Sequence, residues 1–335
     1  MVLKSVSKDL GGAPLVPEER AVPKATGPFD VVVRIGAAGV CRTDLHLVTG
    51  EMEPPLPLVL GHENAGWVHE VGSSVTTVAI GDPVICFPFV SSGLSEQERA
   101  GLDTDAPDRA TPGISVDGGY AEFMLSNERS MLKVPASADL AQLATLTDAG
   151  LAAYRACKKA AALVRPGDDV VVFGVGGLGH IAVQAMVAIS SARIVAVDTN
   201  PAARALAIEC GASEAVAPDE LRRALPRGAR ACLDFVGADS TAALGTGVLA
   251  FGGAYFAVGV GGTVSLPLAD VVVGERRIEG VYVGTYTELL EVSQLAISGR
   301  IAPRVVRYPL SEANTALRDL AHSAFLGRAV LEPDR

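Results

Sequence analysis

The sequence predicts an α/β chain of two parts, a β-rich first part and a doubly wound parallel sheet. Three observations carry this. Up to about residue 140 the apolar residues fall in short β-branched or aromatic runs bounded by Gly, Pro and Asp. After Asp148 apolar runs alternate with helical patterns. At 335 residues the chain is too long for one ordinary core. The expected division is 1–148, completed by 285–335, for the first part and 149–284 for the second.

In order, the first part offers strands at "DVVVRIGAAGV" (30–40), "GWVHEVG" (66–72), "GDPVICF" (81–87) and "GYAEFML" (119–125). Residues 91–118 are poor in apolar side chains and read as a long loop. "AGLAAYRACKKAAAL" is Ala-rich and helix-prone. Then come the strand "DDVVVFG", a helix over about 178–190, the strand "ARIVAVD" and the helix "NPAARALAIECG". That last helix has Asn200 as N-cap, Pro201 in its first position and Gly211 as its stop. "ARACLDFVG" and "GGAYFAVGV" are further buried strands. This rhythm implies parallel strands with right-handed crossovers.

Composition narrows the function classes. Hydrophobic residues make up 49% and charged residues 20%, a globular profile. A net charge of −10 disfavours nucleic acid as a partner. Five cysteines at 41, 86, 157, 210 and 232, with no CxxC, argue against a disulfide framework and for a reducing, cytoplasmic setting. The stretch between Asp169 and Arg193 carries no formal charge and is long enough for a bilayer. Its glycines, His180 and Gln184 divide it instead into strand, turn and helix, so no membrane partner is expected.

"VVVFGVGGLGHIAV" places Gly174, Gly176, Gly177 and Gly179, with Leu178 among them, in a G-x-G-G-x-G turn between a strand and a helix. Such glycines permit a sharp turn, close backbone approach to a pyrophosphate and tight helix–strand packing. Asp198 closes the next strand, 19 residues beyond Gly179. A carboxylate there accepts from the ribose hydroxyls and repels a 2′-phosphate, which favours NAD over NADP. Arg204 lies close enough to weaken that preference.

"GVCRTDLH" packs five functional groups into Cys41 to His46. Cys41 and His62 are favoured zinc ligand types, and a catalytic zinc uses three protein ligands. Asp148, where the two parts meet in sequence, can supply the third. Taken singly, each residue has a blander reading: a buried thiol, a structural histidine, a helix N-cap.

"GVCRTDLHLVTG", "LPLVLGHENAGWVHEVG", "GDPV", "DGGYAEF", "LTDAGL", "GVGGLGHIAVQ" and "VAVD" occur in this order over essentially the whole chain. Together they resemble the zinc-dependent medium-chain alcohol dehydrogenases, in particular a single-zinc bacterial branch with Cys, His and Asp ligands. The resemblance implies a GroES-like catalytic domain and a Rossmann-type NAD domain. It implies Cys41, His62 and Asp148 as ligands of the catalytic zinc, with Glu63 able to approach the ion. Asp44 orients the ligand histidine, and Thr43 and His46 relay the proton through a ribose hydroxyl. Arg42 touches the cofactor pyrophosphate, and Val258 and Val260 join the cofactor residues. Met52, Phe87, Phe89, Tyr120 and Tyr282 are candidates to line an apolar pocket for an alcohol or ketone, with plain core packing as the other reading of each.

One departure matters. The four cysteines that hold a second, structural zinc in many members are missing, since no cysteine occurs from 87 to 156. One zinc per chain is expected, with the 91–118 loop held by other contacts or mobile. "GERRIEGVYVGTYTELL" suggests an edge strand that joins two cofactor parts in a homodimer, or within a tetramer. Two other readings remain open at this point: a metal-free quinone or enoyl reductase, and a non-catalytic NADH-binding protein.

Overall fold

The structure, a computed structural model, describes residues 1–8 and 12–334. The chain divides into two compact units. One comprises Met1–Ala149, Thr285–Ser293 and Pro303–Arg335, the other Gly150–Gly284 and Gln294–Ala302. The tail expected wholly with the first part is thus shared, since 294–302 groups with the second.

The first unit holds β1 (Val2–Leu3), β2 (Leu15–Val16), β3 (Asp30–Val40), α1 (Arg42–Thr49), β4 (Leu58–Val59), β5 (Glu63–Val71) and β6 (Pro83–Cys86). Helix α2 (Glu96–Arg99), β7 (Phe123–Asn127), β8 (Met131–Lys133) and α3 (Leu140–Ala144) follow. Strands β1, β2 and β4 form a small sheet of their own. The larger sheet is built around β3, which pairs antiparallel with β5, β7 and a late strand near the C-terminus. Strand β3 is buried along nearly its whole length. A continuous apolar run suits a strand covered on both faces. The core packs β3 side chains Val31, Val33 and Ile35 with Leu45 and Leu47 of α1 and with Leu58 and Leu60.

The second unit runs α4 (Leu151–Ala161), β9 (Asp169–Phe173), α5 (Gly179–Ile189), β10 (Arg193–Val197), α6 (Pro201–Glu209), β11 (Glu214–Val216) and α7 (Leu221–Ala224). It continues with β12 (Ala229–Asp234), α8 (Asp239–Gly247), β13 (Leu249–Ala257), α9 (Leu268–Gly274) and β14 (Arg277–Gly280). All six strands pair in parallel, in the order β11-β10-β9-β12-β13-β14. Counted from β9 this is 3-2-1-4-5-6, the doubly wound dinucleotide-binding order, with its switch point between β9 and β12. Asn200 caps α6 as expected, its side chain accepting from the Ala202 amide at 2.9 Å, with Pro201 first and Gly211 left-handed beyond the end. The late apolar strand is shorter than its sequence suggests. Only Arg277–Gly280 pairs, and β13 is its one neighbour among the described residues.

Helix α10 (Tyr286–Ile297), β15 (Val305–Pro309), α11 (Ala313–Ala321) and β16 (Arg328–Glu332) end the chain. Strand β16 lies between β15 and β3 in the larger sheet. Among the described residues no helix is long and apolar enough to cross a membrane.

The 91–118 loop is ordered by a carboxylate. Glu98, on α2, has its side chain fully enclosed. It accepts from the Gly93 amide at 2.7 Å, the Ser95 amide at 3.0 Å and the Ser95 hydroxyl at 2.7 Å. Burial alone would raise its pKa. The Ser91 and Ser95 hydroxyls and the two amides instead pull it down to about 2. Arg129 pairs with Asp103 at 2.5 Å and ties the loop to the strand region.

Candidate metal centre

Cys41 stands where β3 ends, its backbone extended, and α1 begins at the next residue. The Asp44 carboxylate reaches back to the Cys41 amide at 2.8 Å, which fixes the thiol's position at the helix entrance. His62 follows left-handed Gly61, just before β5. A side chain at Gly61 would run into Tyr120. Asp148 lies in a π-helical turn, Leu146–Gly150, and not at a helix N-cap. Such turns recur at functional sites because they re-aim a side chain.

These three residues and Glu63 offer ligand atoms that all lie within 4.8 Å of one another, the one such cluster among the described residues. Asp148 Oδ2 is 4.0 Å from Cys41 Sγ and 3.3 Å from His62 Nε2. His62 is buried, yet neither ring nitrogen has a hydrogen-bond partner. Asp44 Oδ1 is equally orphaned, 3.5 Å from His62 Nδ1. Buried polar atoms left unpaired cost of order 1–3 kcal/mol each, so native proteins rarely retain them. A thiolate, an imidazole and a carboxylate converging on one point are a fitting donor set for zinc. Burial would lower the His62 pKa, but the Asp44 and Asp148 carboxylates and Cys41 raise it well above the usual histidine value. Two anionic donors around an imidazole form a pocket that attracts positive charge.

Glu63 is already occupied. Its Oε1 accepts from the Ala149 amide at 3.1 Å, and both oxygens accept from Arg328 Nη2 at 2.6 Å. Both residues are buried. Burial pushes the Glu63 pKa up, and Arg328 opposes it. Arg328 escaped the sequence reading. Its one signal was an arginine inside the apolar run "RAVLE", 265 residues from its partner.

Tyr120 takes the core reading: it is fully buried, and its hydroxyl donates to Asp44 Oδ2 at 2.9 Å. It therefore supports the carboxylate behind His62. Burial, then the Asp44 charge, raises the phenol pKa far above its usual value. Phe87 and Phe89 are buried, in edge contact at 5.5 Å, and Phe87 also meets Tyr286 at 5.9 Å. Met52 is exposed in the same unit, and Tyr282 is exposed in the second.

Thr43 and His46 lie three residues apart on α1, hence on one face. Thr43 Oγ1 is 3.7 Å from Cys41 Sγ. His46 Nδ1 contacts Glu51 Oε2 at 2.6 Å, and its side chain is a third exposed. Arg42, the first residue of α1, is exposed.

In the second unit the glycine turn has the form a dinucleotide needs. Gly174 is left-handed, with φ of 81°. A Cβ on Gly179 would fall 1.8 Å from the Gly174 carbonyl oxygen, whereas at Gly176 it would meet nothing within 4 Å. The tight glycine packs helix on strand, and the open one leaves the backbone approachable. Gly177 and Leu178 are half-buried between them. His180, also missed, has Nδ1 2.8 Å from the Gly176 carbonyl oxygen and braces the turn. Asp198 accepts from the Val175 and Asn200 amides, both at 2.8 Å. Arg204 donates to the carbonyls of Asp198 and Thr199. Val258 is half-buried and Val260 exposed.

Comparison with known proteins shows the family. Residues 27–136 match the alcohol dehydrogenase GroES-like domain, and residues 177–298 match the zinc-binding dehydrogenase family. An alcohol dehydrogenase of Geobacillus stearothermophilus is 33% identical over 91% of this chain and 92% of its own length. An NAD-dependent alcohol dehydrogenase of Sulfurisphaera tokodaii is 33% identical over 96% of this chain and 97% of its own. The crystal structure of the alcohol dehydrogenase from the hyperthermophilic archaeon Aeropyrum pernix superposes with a TM-score of 0.93, at 40% identity over 99% of both chains. Full-length kinship of this order, together with a converged Cys41–His62–Asp148 cluster and a 3-2-1-4-5-6 sheet, has one meaning: the chain belongs to the zinc-type medium-chain alcohol dehydrogenases.

Proposed function

We propose that this dehydrogenase oxidises a secondary, fairly apolar alcohol with NAD and reduces the matching ketone in reverse, using one zinc per chain held by Cys41, His62 and Asp148. The carrying observation is the pair of orphaned His62 nitrogens inside that cluster. Zinc supplies Lewis acidity there, the effect that lowers the pKa of bound water from about 15.7 to roughly 7.

The remaining work falls to the chain. Asp44 faces His62 Nδ1 and so leaves Nε2 directed at the site. Tyr120 and the Cys41 amide hold Asp44 in turn. Thr43, beside Cys41, receives the substrate's hydroxyl proton and releases its own, because a hydroxyl donates and accepts at once. His46, its side chain a third exposed, carries the proton outward to solvent. Arg328 neutralises Glu63 and keeps it off the ion. NAD, held by the glycine turn and Asp198 of the second unit, would supply the hydride acceptor.

An apolar substrate is supported by the Phe87, Phe89 and Tyr286 rings of the same unit. The preference for NAD is supported by Asp198. The acidic chain with dispersed cysteines supports a cytoplasmic protein without nucleic-acid partners. The open edge of β14, with exposed Leu268, Val272, Val273 and Ile278 nearby in sequence, supports a homodimer through the cofactor unit. Light scattering distinguishes it from a tetramer.

The test is a panel of primary, secondary and cyclic alcohols, followed by NADH absorbance with NAD and NADP in parallel, alongside metal analysis. Zinc near one per chain and turnover on secondary alcohols are expected. Activity that survives complete chelation points to a metal-free reductase, and no turnover on any alcohol or carbonyl points to an NADH-binding protein.

A further inference from the structure

We propose that Asp234, the last residue of β12, is the positioning residue of the cofactor site. It holds in register the two loops that leave the C-terminal ends of β12 and β13. The inference rests on the NAD reading above.

Asp234 is fully buried. Its Oδ1 accepts from the amides of Val236 at 2.8 Å and Gly237 at 3.0 Å. Its Oδ2 accepts from the hydroxyls of Thr241 at 2.6 Å and Tyr255 at 2.5 Å. Its backbone carbonyl accepts from the amides of Val258 at 3.0 Å and Gly259 at 2.9 Å. Thus the side chain gathers the loop after β12 and the start of α8, while the main chain gathers the loop after β13. The two loops are also joined directly, since Gly262 donates to the Gly237 carbonyl at 2.6 Å. A Cβ on Gly237 would lie 2.3 Å from the carbonyl carbon of Gly259, so the loops touch backbone to backbone.

The position of this knot is what gives it a role. Dinucleotides bind beyond the carboxyl ends of the strands at the switch point, here β9 and β12. Val236, placed by the Asp234 clamp, has its Cγ2 2.6 Å from where a Cβ on Gly174 would stand. Asp234 therefore sets the gap between Val236 and the first glycine of the phosphate turn.

The clamp is buried, yet the side chains it presents are not. Val236 and Val260 are exposed beside the turn. Isolated buried carboxylates are costly, and an apolar residue would serve a merely structural corner as well. Four donors arriving from three segments need an acceptor-only group with two oxygens.

The test uses the zinc-loaded enzyme and the variants Asp234→Ala and Tyr255→Phe. It reads the NADH dissociation constant by fluorescence titration, and kcat and KM for NAD at saturating alcohol. Loss of the clamp should raise the NADH dissociation constant and KM for NAD by about tenfold in Asp234→Ala. In Tyr255→Phe the rise should be about two- to threefold. In both, kcat at saturating NAD should stay within about twofold of wild type. If Asp234→Ala does not fold, Tyr255→Phe decides alone. Variants that melt earlier but bind NADH as wild type does overturn the proposal and leave the NAD reading intact. A wild-type chain that binds no NADH overturns the NAD reading itself.

Discussion

Two buried polar clusters in the first unit each contain an enclosed carboxylate and end in opposite states. In the 91–118 loop the Glu98 carboxylate meets two amides and a Ser95 hydroxyl, and both oxygens are used. At the metal centre the His62 nitrogens and one oxygen of Asp44 have no hydrogen-bond partner. The first cluster is closed on itself and needs nothing more. The second carries a desolvation cost that only a further group can offset. Polar burial therefore says little until its donors and acceptors are matched, and at this cluster the unmatched atoms lie beside a thiol and a carboxylate that converge with them on one point.

Substitutions can break or sharpen this contrast. The largest effect is expected at the open cluster. Asp148→Ala or Cys41→Ser should lose zinc by metal analysis and lower kcat/KM about a thousandfold, since Lewis-acid stabilisation is worth several kcal/mol. Zinc retained at full occupancy in either variant would deny those residues their role.

Next is the closed pair behind the site. Arg328→Met leaves Glu63 buried without its counter-charge and should destabilise the chain by about 3–5 kcal/mol in denaturant unfolding. Adding Glu63→Gln should recover part of the loss. If the double variant is no better than the single one, the pair is not coupled.

Glu98→Gln follows, at about 1–3 kcal/mol, with zinc content and turnover near wild type. Its pH dependence has a definite sign. The folded pKa, about 2, lies below the usual 4.5, so the ionised carboxylate stabilises the loop above about pH 4.5. That contribution fades as pH falls from about 4.5 towards 2, and Glu98→Gln should flatten the decline. Identical acid unfolding of the two proteins would assign the loop's order to other contacts.

The smallest effect is expected for Tyr120→Phe. Removing the phenol's bond to Asp44 should weaken zinc by about tenfold in competition with a chelator, in the range seen for outer partners of metal ligands. Unchanged affinity would return Tyr120 to plain packing.

Much of this molecule was readable in advance where the signal is local. Strand β3 spans the 30–40 run because Pro28 precedes it, Asp30 opens it and the polar cluster from Cys41 follows it. The glycine turn and the Asn200–Pro201 helix start are legible because each glycine, cap or proline answers a local backbone demand. What stayed hidden is the non-local pairing. Glu98 looked like one acid among several in a polar loop, since its partners are amides that every residue carries. Tyr120 shows its ring in the sequence but not its hydroxyl's partner, Asp44. Arg328 and Asp234 are charged residues at the ends of apolar strands, and only the sheet shows which groups surround them. Cys41, His62 and Asp148 were legible as candidate ligands and the structure brings them together, but the aim of Asp148 depended on a π-helical turn that no propensity announces.

Strand β16 reaches β3 with Ala329, Val330 and Leu331 paired to Val40, Gly39 and Ala38, and it brings Arg328 to Glu63. During synthesis, residues 30 to 71 leave the ribosome long before this last strand exists. Until it arrives, Glu63 lacks Arg328 and the Ala38–Val40 end of β3 lacks its β16 partner. The first unit therefore completes its larger sheet only after the residues of the second unit have been made.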